Sequence, residues 1–284
     1  MRVLVLGAAG MLGNAVYRTF TEDSTYEVFG SLRSDAGKSF FSAALSQQLF
    51  TGCDVMNQDS LIGLISKVRP NLVVNCIALE KRLISKNNPL LLMPINSLLP
   101  HKLENICELT GARLVHISSD AVFSGDKGNY SEDDIPDARD LYGISKLVGE
   151  VKGANSVTIR TSIIGHELSR ANGLVEWFLK QEKICNGYSR AMYSGIPTVT
   201  LAKIIRDVVV PNAKLSGIYH VASEPISKFD LLMKIAKIYK KEIQVLPLID
   251  PKINRTLKAE KFRNATGYTA PSWEELINTM NKYR

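Results

Sequence analysis

Of the 10 tyrosines in this 284-residue chain, only Tyr142 is followed by a lysine four positions on, Lys146, and Ser119 lies a short way upstream. On a helix, positions i and i+4 share a face, so the Lys146 ammonium can stand close to the Tyr142 phenol. A free phenol titrates near ~10 and exchanges protons poorly at neutral pH. A neighbouring cation favours the phenolate, lowers that value and fits the group for proton exchange with a carbonyl or an alcohol. A serine hydroxyl nearby can hydrogen-bond the same substrate oxygen. The three together suit carbonyl–alcohol redox chemistry. A Tyr–Lys pair alone would be expected by chance in a chain this rich in Lys and Arg, so its position relative to other motifs decides.

The elements that would serve this chemistry begin at the N-terminus. Arg2 to Leu6 is a short β-branched apolar run that ends at a glycine, the pattern of a buried strand. Gly7-Ala-Ala-Gly10-Met-Leu-Gly13 follows and opens into a helical pattern through Ala15, Val16 and Phe20. Strand, glycine turn and helix in that order form the first unit of a dinucleotide-binding fold: the glycines let backbone N–H groups approach a pyrophosphate at the positive end of the helix. A second strand is expected over Tyr26 to Ser31. NAD-preferring sites carry an Asp or Glu at its end, to hold the ribose 2′-hydroxyl. This chain has Ser31, Leu32, Arg33 and Ser34 there. Arg33 suits a 2′-phosphate in charge and geometry, which predicts a preference for NADPH with NADH possible. The alternative is a solvated loop charge.

Alternation of apolar strands with helical segments, at 45% hydrophobic residues, predicts an α/β fold with a doubly wound, mainly parallel sheet and a smaller C-terminal lobe. Strands are expected near 3–6, 26–30, 48–50, 71–76, 113–118, 156–160 and 217–222. Helices are expected near 11–22, 59–68, 95–110, 142–152, 172–182, 199–210, 227–240 and 272–283. Residues 1–162 would form the nucleotide-binding part and 163–284 mainly the substrate lobe, with the strand near 217–222 returning to the sheet. The net charge is +7, without an aromatic-interleaved basic motif for nucleic acid. Basic residues crowd the C-terminal third, which fits either a solvated face or an anionic substrate such as a nucleotide sugar. Four isolated cysteines, Cys53, Cys76, Cys107 and Cys185, indicate neither a disulfide scaffold nor a zinc site, and no metal is expected. With no apolar run of membrane-spanning length and a first strand that starts at residue 2, a cytoplasmic location without membrane partners is expected.

These motifs carry a family resemblance. The order Gly7-x-x-Gly10-x-x-Gly13, Asn75-Cys-Ile-Ala78, Ile95-Asn96-Ser97, His116-Ile-Ser-Ser119-Asp120-Ala-Val-Phe123, Tyr142-x-x-x-Lys146 and Ile159-Arg-Thr-Ser162 resembles the extended short-chain dehydrogenase/reductases. Within them it is similar to the dTDP-4-dehydrorhamnose reductase-like group, and the run from His116 to Glu150 is the most specific stretch. The resemblance spans essentially the whole chain. Ser162-Ile-Ile-Gly-His-Glu-Leu168 further resembles a branch acting on UDP-linked 2-acetamido-2,6-dideoxyhexoses.

The resemblance implies Ser119, Tyr142 and Lys146 as the catalytic set, with Asn96 as a fourth member holding Lys146 through water. It implies Gly7, Gly10, Met11, Leu12 and Gly13 along the pyrophosphate, Asp54 at the adenine, and Cys76 and Ala78 beside the nicotinamide-side ribose. Asp120, Asn172 and Arg255 would meet the substrate. The implied activity is reduction of the C4 ketone of a nucleotide-linked 4-keto-6-deoxyhexose for cell-surface polysaccharide precursors, and a homodimer formed through helices 95–110 and 142–152 is expected. Leu79-Glu-Lys-Arg82 departs from the rhamnose-pathway pattern, which leaves the particular hexose open. Two other activities fit the same motifs: a nucleotide-sugar epimerase with tightly bound NAD, and a non-catalytic partner like the regulatory subunit of methionine adenosyltransferase. His220 reads as a satisfied core histidine, Trp177 and Phe178 as helix packing, and His166 and Glu167 as lobe contacts.

Overall fold

Seven parallel strands form the central sheet of the computed structural model, which describes residues 1–79, 88–168 and 173–283. Six of them are β1 (Arg2–Leu6), β2 (Glu27–Ser31), β3 (Leu49–Phe50), β4 (Leu72–Asn75), β5 (Arg113–Ile117) and β6 (Ser156–Arg160). The seventh is the Gly217–His220 strand, and the spatial order runs from it through β6, β5, β4, β1 and β2 to β3. The order reverses between β1 and β4, and in such sheets ligands bind beyond the strand C-termini at this point.

The sequence of β1 explains the layering. Strand side chains alternate between faces. Val3 and Val5 join the cluster containing Val16, Phe20 and Ile204, whereas Leu4 and Leu6 join Leu61, Ile65 and Leu103 on the other face. A strand covered on both faces has no polar positions, which is why it reads as an unbroken apolar run.

The C-terminal lobe is built differently. Its strands are short: Ile163–Ile164 pairs with Ile196–Pro197, Ala191–Tyr193 pairs with Ile226–Ser227 and Ile253–Asn254, and Ile184–Tyr188 pairs with Gln244–Leu248. Their apolar centre is Phe178, Leu231, Ile235, Leu276 and Ile277, which form a second core. Between lobe segments the chain re-enters the sheet, where Gly217–His220 pairs with β6 from Gly217 opposite Val157 to His220 opposite Arg160. Arg113 at the start of β5 secures the approach, donating to the carbonyls of Val209, Val210, Asn212 and Leu215 at 2.8–3.2 Å.

The helix expected over 95–110 starts earlier and is not uniform. Pro89–Leu92 and Leu99–Thr110 are α-helical, and Met93–Leu98 between them is a π-helical turn containing Asn96. Pro94 and Pro100 each lack an N–H, which removes i→i−4 hydrogen bonds on both sides of that turn. The helix expected over 142–152 spans Leu141–Val148 and ends at Gly149. A Cβ at Gly149 would stand 1.9 Å from the Asn96 carbonyl oxygen, so close packing of two segments fixes this helix end. The lobe strands and the Glu260–Thr266 helix go beyond what the sequence predicts, because segments of two to seven residues leave little periodicity to read. Phe178 is fully buried, but Trp177 is 38% exposed and only half of that pair packs inward.

Candidate active site

The glycine turn after β1 has one tight constraint. Gly7 adopts φ +81°, in the left-handed region, and a Cβ at Gly13 would lie 2.0 Å from the Gly7 carbonyl oxygen. Only glycine at 13 lets the Met11–Thr21 helix start this close to the strand. Gly10 donates to the Gly7 carbonyl at 2.9 Å, and the amides of the first helical turn have no intrahelical partner. Gly10, Met11 and Leu12 line a cleft of about 390 Å³ between sheet and lobe. The turn therefore fits a dinucleotide pyrophosphate: a backbone with no Cβ in the way and open amides at a positive helix end. Ser31 occupies the place of the ribose-binding acid, and its hydroxyl accepts from the Gly7 amide at 3.2 Å.

The cleft's second wall comes from β5 and the Leu141–Val148 helix. Ser119 follows β5, is 9% exposed, accepts from the Ala121 amide at 3.1 Å and donates to Asp120 at 3.2 Å. Lys146 is almost wholly buried and donates to the Ile117 carbonyl at 2.7 Å. Burial pushes its ammonium down to about 8, opposed by the charge of Glu150. Tyr142 lies one turn earlier and lines the same cleft. The close approach of this helix depends on Gly143, where a Cβ would meet the Ala121 carbonyl oxygen at 2.1 Å. Asn96 is fully buried. Its side chain brackets Leu79, accepting from the amide at 2.9 Å and donating to the carbonyl at 3.0 Å, and donates to Ser145 at 3.1 Å. It thus joins the edge of Ala78 to the residue preceding Lys146. Cys76 and Ala78 line the cleft, and burial pushes the Cys76 thiol up to about 12, so it is an unreactive wall.

The third wall is formed by Asp120, next to Ser119, and by lobe residues that face it. Burial pushes the Asp120 carboxyl up to about 6, against the opposing pull of Arg255, Ser119, Lys228 and Ser162. Arg255 stands 3.9 Å from Asp140, the residue whose carboxylate caps the Tyr142 helix by accepting from Gly143 at 2.8 Å. The Arg255 Nε and the Tyr193 hydroxyl are both buried without a hydrogen-bond partner among the described residues. Ser162 lies beside the Tyr193 hydroxyl but falls short of hydrogen-bond geometry. Tyr193 and Lys228 were missed by sequence reasoning. Tyr193 lies on a three-residue strand and Lys228 in a first helical turn, neither of which has a motif to mark it.

The remaining candidates fall elsewhere. Arg33 and Asp54 are exposed beyond the ends of β2 and β3, outside the cleft lining, and Asp54 accepts from the Met56 amide at 2.9 Å. Asn172 and the Glu80–Arg82 stretch lie outside the described residues. Glu167 lines the cleft and accepts from the Gly173 amide. His166 is turned away, with Nδ1 2.6 Å from Glu176 and Nε2 2.9 Å from the Tyr239 hydroxyl. His220 is a core residue whose Nδ1 meets the Tyr130 carbonyl at 3.1 Å. Among the described residues, no group of three or more His, Cys, Asp or Glu could hold a metal, and no helix is long and apolar enough to cross a membrane.

Known proteins resemble this chain over most or all of its length. The dTDP-4-dehydrorhamnose reductase of Aggregatibacter actinomycetemcomitans is 25% identical, covering 99% of each chain. Methionine adenosyltransferase 2 subunit beta of Xenopus laevis is 26% identical over 84% of this chain and 72% of its own. Among solved structures, dTDP-4-dehydrorhamnose reductase from Bacillus anthracis in complex with NADP superposes with a TM-score of 0.81 at 24% identity, covering 99% of both chains. The family described as RmlD substrate binding domain matches residues 1–283, and the chain belongs to that family.

Proposed function

We propose that the protein is an NADPH-dependent reductase of a nucleotide-linked 4-keto-6-deoxyhexose, either a dTDP-4-dehydrorhamnose or a UDP-2-acetamido-2,6-dideoxy-4-hexulose, serving polysaccharide precursor synthesis. The observation that carries this reading is the convergence of Ser119, Tyr142 and Lys146 on one cleft with the Gly10–Leu12 turn. When bound, the nicotinamide cofactor supplies the hydride. Tyr142 gives its phenolic proton to the C4 oxygen, so the ketone becomes an alcohol and the phenolate takes up a proton from solvent. Lys146, one helical turn on and lining the same cleft, would favour the ionised form of that phenol, while Ser119 donates to the same oxygen as charge develops on it. Lys146 would also hold the nicotinamide ribose when the cofactor is bound. Arg255, Asp120 and Tyr193 face the sugar and diphosphate from the lobe side. Asn172 would add a nucleotide contact.

Arg33 underlies the preference for NADPH over NADH. Arg33→Ala is expected to raise KM for NADPH roughly tenfold and leave that for NADH unchanged, as loss of one charge-assisted phosphate contact would. An equal effect on both rejects the assignment.

A second reading is favoured by the likeness to methionine adenosyltransferase 2 subunit beta: a nucleotide-binding partner without turnover. The deciding experiment follows NADPH consumption with UDP- and dTDP-linked 4-keto-6-deoxyhexoses, with and without a 2-acetamido group. Oxidation with one of them supports the reductase. Silence across the panel, in protein that binds NADPH, favours the partner.

Exposed Leu98, Ile144 and Val148 lie on the packed pair formed by the Met93–Leu98 turn and the Leu141–Val148 helix, the surface through which a homodimer would form. Light scattering at micromolar concentration tests this, and a monomer rejects it.

A further inference from the structure

Along the chain beyond β6, Thr161 to Gly165 line the cleft and so does Glu167, but His166 between them does not. Its ring is turned to the outside of the lobe, where two helices hold it. Nδ1 lies 2.6 Å from Glu176 Oε1 on the Leu174–Lys180 helix. Nε2 lies 2.9 Å from the hydroxyl of Tyr239, the residue that ends the Lys228–Ile238 helix. An ionised carboxylate only accepts, so Nδ1 carries a hydrogen and Nε2 of the neutral ring accepts from the phenol. A protonated ring would keep the first bond and reverse the direction of the second.

The neighbouring segments show what this clasp holds. Ile163 and Ile164 are secured by pairing with Ile196 and Pro197, and at Gly165 a Cβ would collide with the Thr198 side chain, so the wall is backed up to that point. The strand pairing stops at Ile164. Glu167, on the far side of His166, returns to the lining and accepts from the Gly173 amide at 2.6 Å. Both helices that grip His166 also reach the cleft with their first residues, Leu174 and Lys228. His166 thus joins three pieces of the lobe wall that are distant in sequence.

We infer that His166 is a positioning residue: its bonds to Glu176 and Tyr239 lock the Ile163–Glu167 segment, Leu174 and Lys228 into one wall against which the sugar nucleotide is held. The inference rests on the cleft taking a nucleotide sugar, as proposed above. His166 acts on affinity, because a wall already ordered spares the bound state the cost of ordering it. Ser119, Tyr142 and Lys146 stand on the opposite, sheet side and are outside its reach.

The test compares Tyr239→Phe, which removes one hydroxyl, with His166→Leu, which removes both bonds. Calorimetry with UDP-N-acetylglucosamine and dTDP-glucose, neither of which carries a ketone, reads the wall without turnover. Kd for the probe that the wild type binds is expected to rise about three- to tenfold in Tyr239→Phe and further in His166→Leu. Kd for NADPH, read by fluorescence, stays within about twofold, and in turnover KM for the keto sugar rises while kcat holds. Glu176→Gln, whose amide oxygen still accepts from Nδ1, is the conservative control and keeps near wild-type affinity. A purely structural clasp lowers Tm in both variants and leaves the probe Kd unchanged, which overturns the inference. A parallel rise for probe and NADPH, the mark of general loosening, overturns it too. Selective loss of probe affinity in a protein that reduces no keto sugar upholds the positioning role and rejects the reductase reading. Wild-type protein that binds NADPH but neither probe rejects the substrate class and the inference together.

Discussion

The catalytic wall and the facing lobe wall of the cleft are built on opposite terms. On the sheet side, Ser119, Lys146 and Asn96 have their polar atoms engaged by neighbouring backbone and side chains, and glycines at 143 and 149 let the helix approach to contact distance. On the lobe side, Tyr193 and Arg255 keep buried polar atoms with no hydrogen-bond partner among the described residues, and Asp120, which faces them, is held partly against its own ionisation. An unpartnered buried donor costs roughly 1–3 kcal/mol, so a wall that carries two of them is incomplete until something else supplies acceptors. The comparison separates a surface preorganised for one reaction from a surface that leaves its hydrogen bonds for a substrate. Fixed donors and acids suit the first role, since they need no reorganisation during the chemical step.

Variants on each side test that division, and the largest effect belongs to the sheet wall. Tyr142→Phe is expected to lower kcat by about 10²–10⁴-fold, the range for loss of a general acid, with NADPH affinity nearly unchanged in a fluorescence titration. Wild-type turnover in this variant would remove the phenol from the reaction. Gly149→Ala comes next: its Cβ would meet the Asn96 carbonyl oxygen at 1.9 Å, and overpacking of this kind costs about 1–3 kcal/mol. Thermal melting should register that loss, and an unaltered Tm would mean that the two segments can separate freely.

The lobe wall should respond in the reverse manner. Tyr193→Phe removes an unsatisfied hydroxyl, so Tm is expected to hold or rise slightly while KM for the keto sugar increases roughly three- to tenfold, the worth of one hydrogen bond. A fall in Tm with unchanged KM would identify Ser162 as a structural partner of that hydroxyl. The smallest effect concerns Asp120. Its folded value of about 6 lies above the usual 3.8, so the native state binds the proton more tightly than the unfolded chain does. Ionisation therefore costs stability as pH rises from about 4 to 6, and the cost persists above that window. Asp120→Asn should match the wild type near pH 4 and melt roughly 2–5 °C higher at pH 8. Equal melting at both pH values would place the carboxylate in a well-solvated setting.

The same contrast explains how much could be read from the chain. Strands such as Arg2–Leu6 and Ser156–Arg160 announce themselves because double burial leaves mainly apolar and β-branched residues between their ends. The Gly7-x-x-Gly10-x-x-Gly13 and Tyr142-x-x-x-Lys146 spacings are legible because helix geometry and close packing impose them locally. Tyr193 and Lys228 were not legible, since their meaning comes from tertiary neighbours far away in sequence. The π-helical turn at Met93–Leu98 was invisible for a similar reason: its residues read as ordinary helix, and only Asn96 bridging Leu79 and Ser145 gives the turn its position.

The return of Gly217–His220 to the edge of the sheet limits how this protein can be recombined. The chain leaves the sheet after β6, builds part of the lobe, comes back for one strand and leaves again. A swap of everything beyond residue 162 with a relative would therefore import a foreign sheet edge along with the substrate wall, and Arg113 would lose the four carbonyls it holds. Grafting a new sugar preference onto this scaffold calls for replacing separate lobe segments on either side of that strand, with the strand itself left in place.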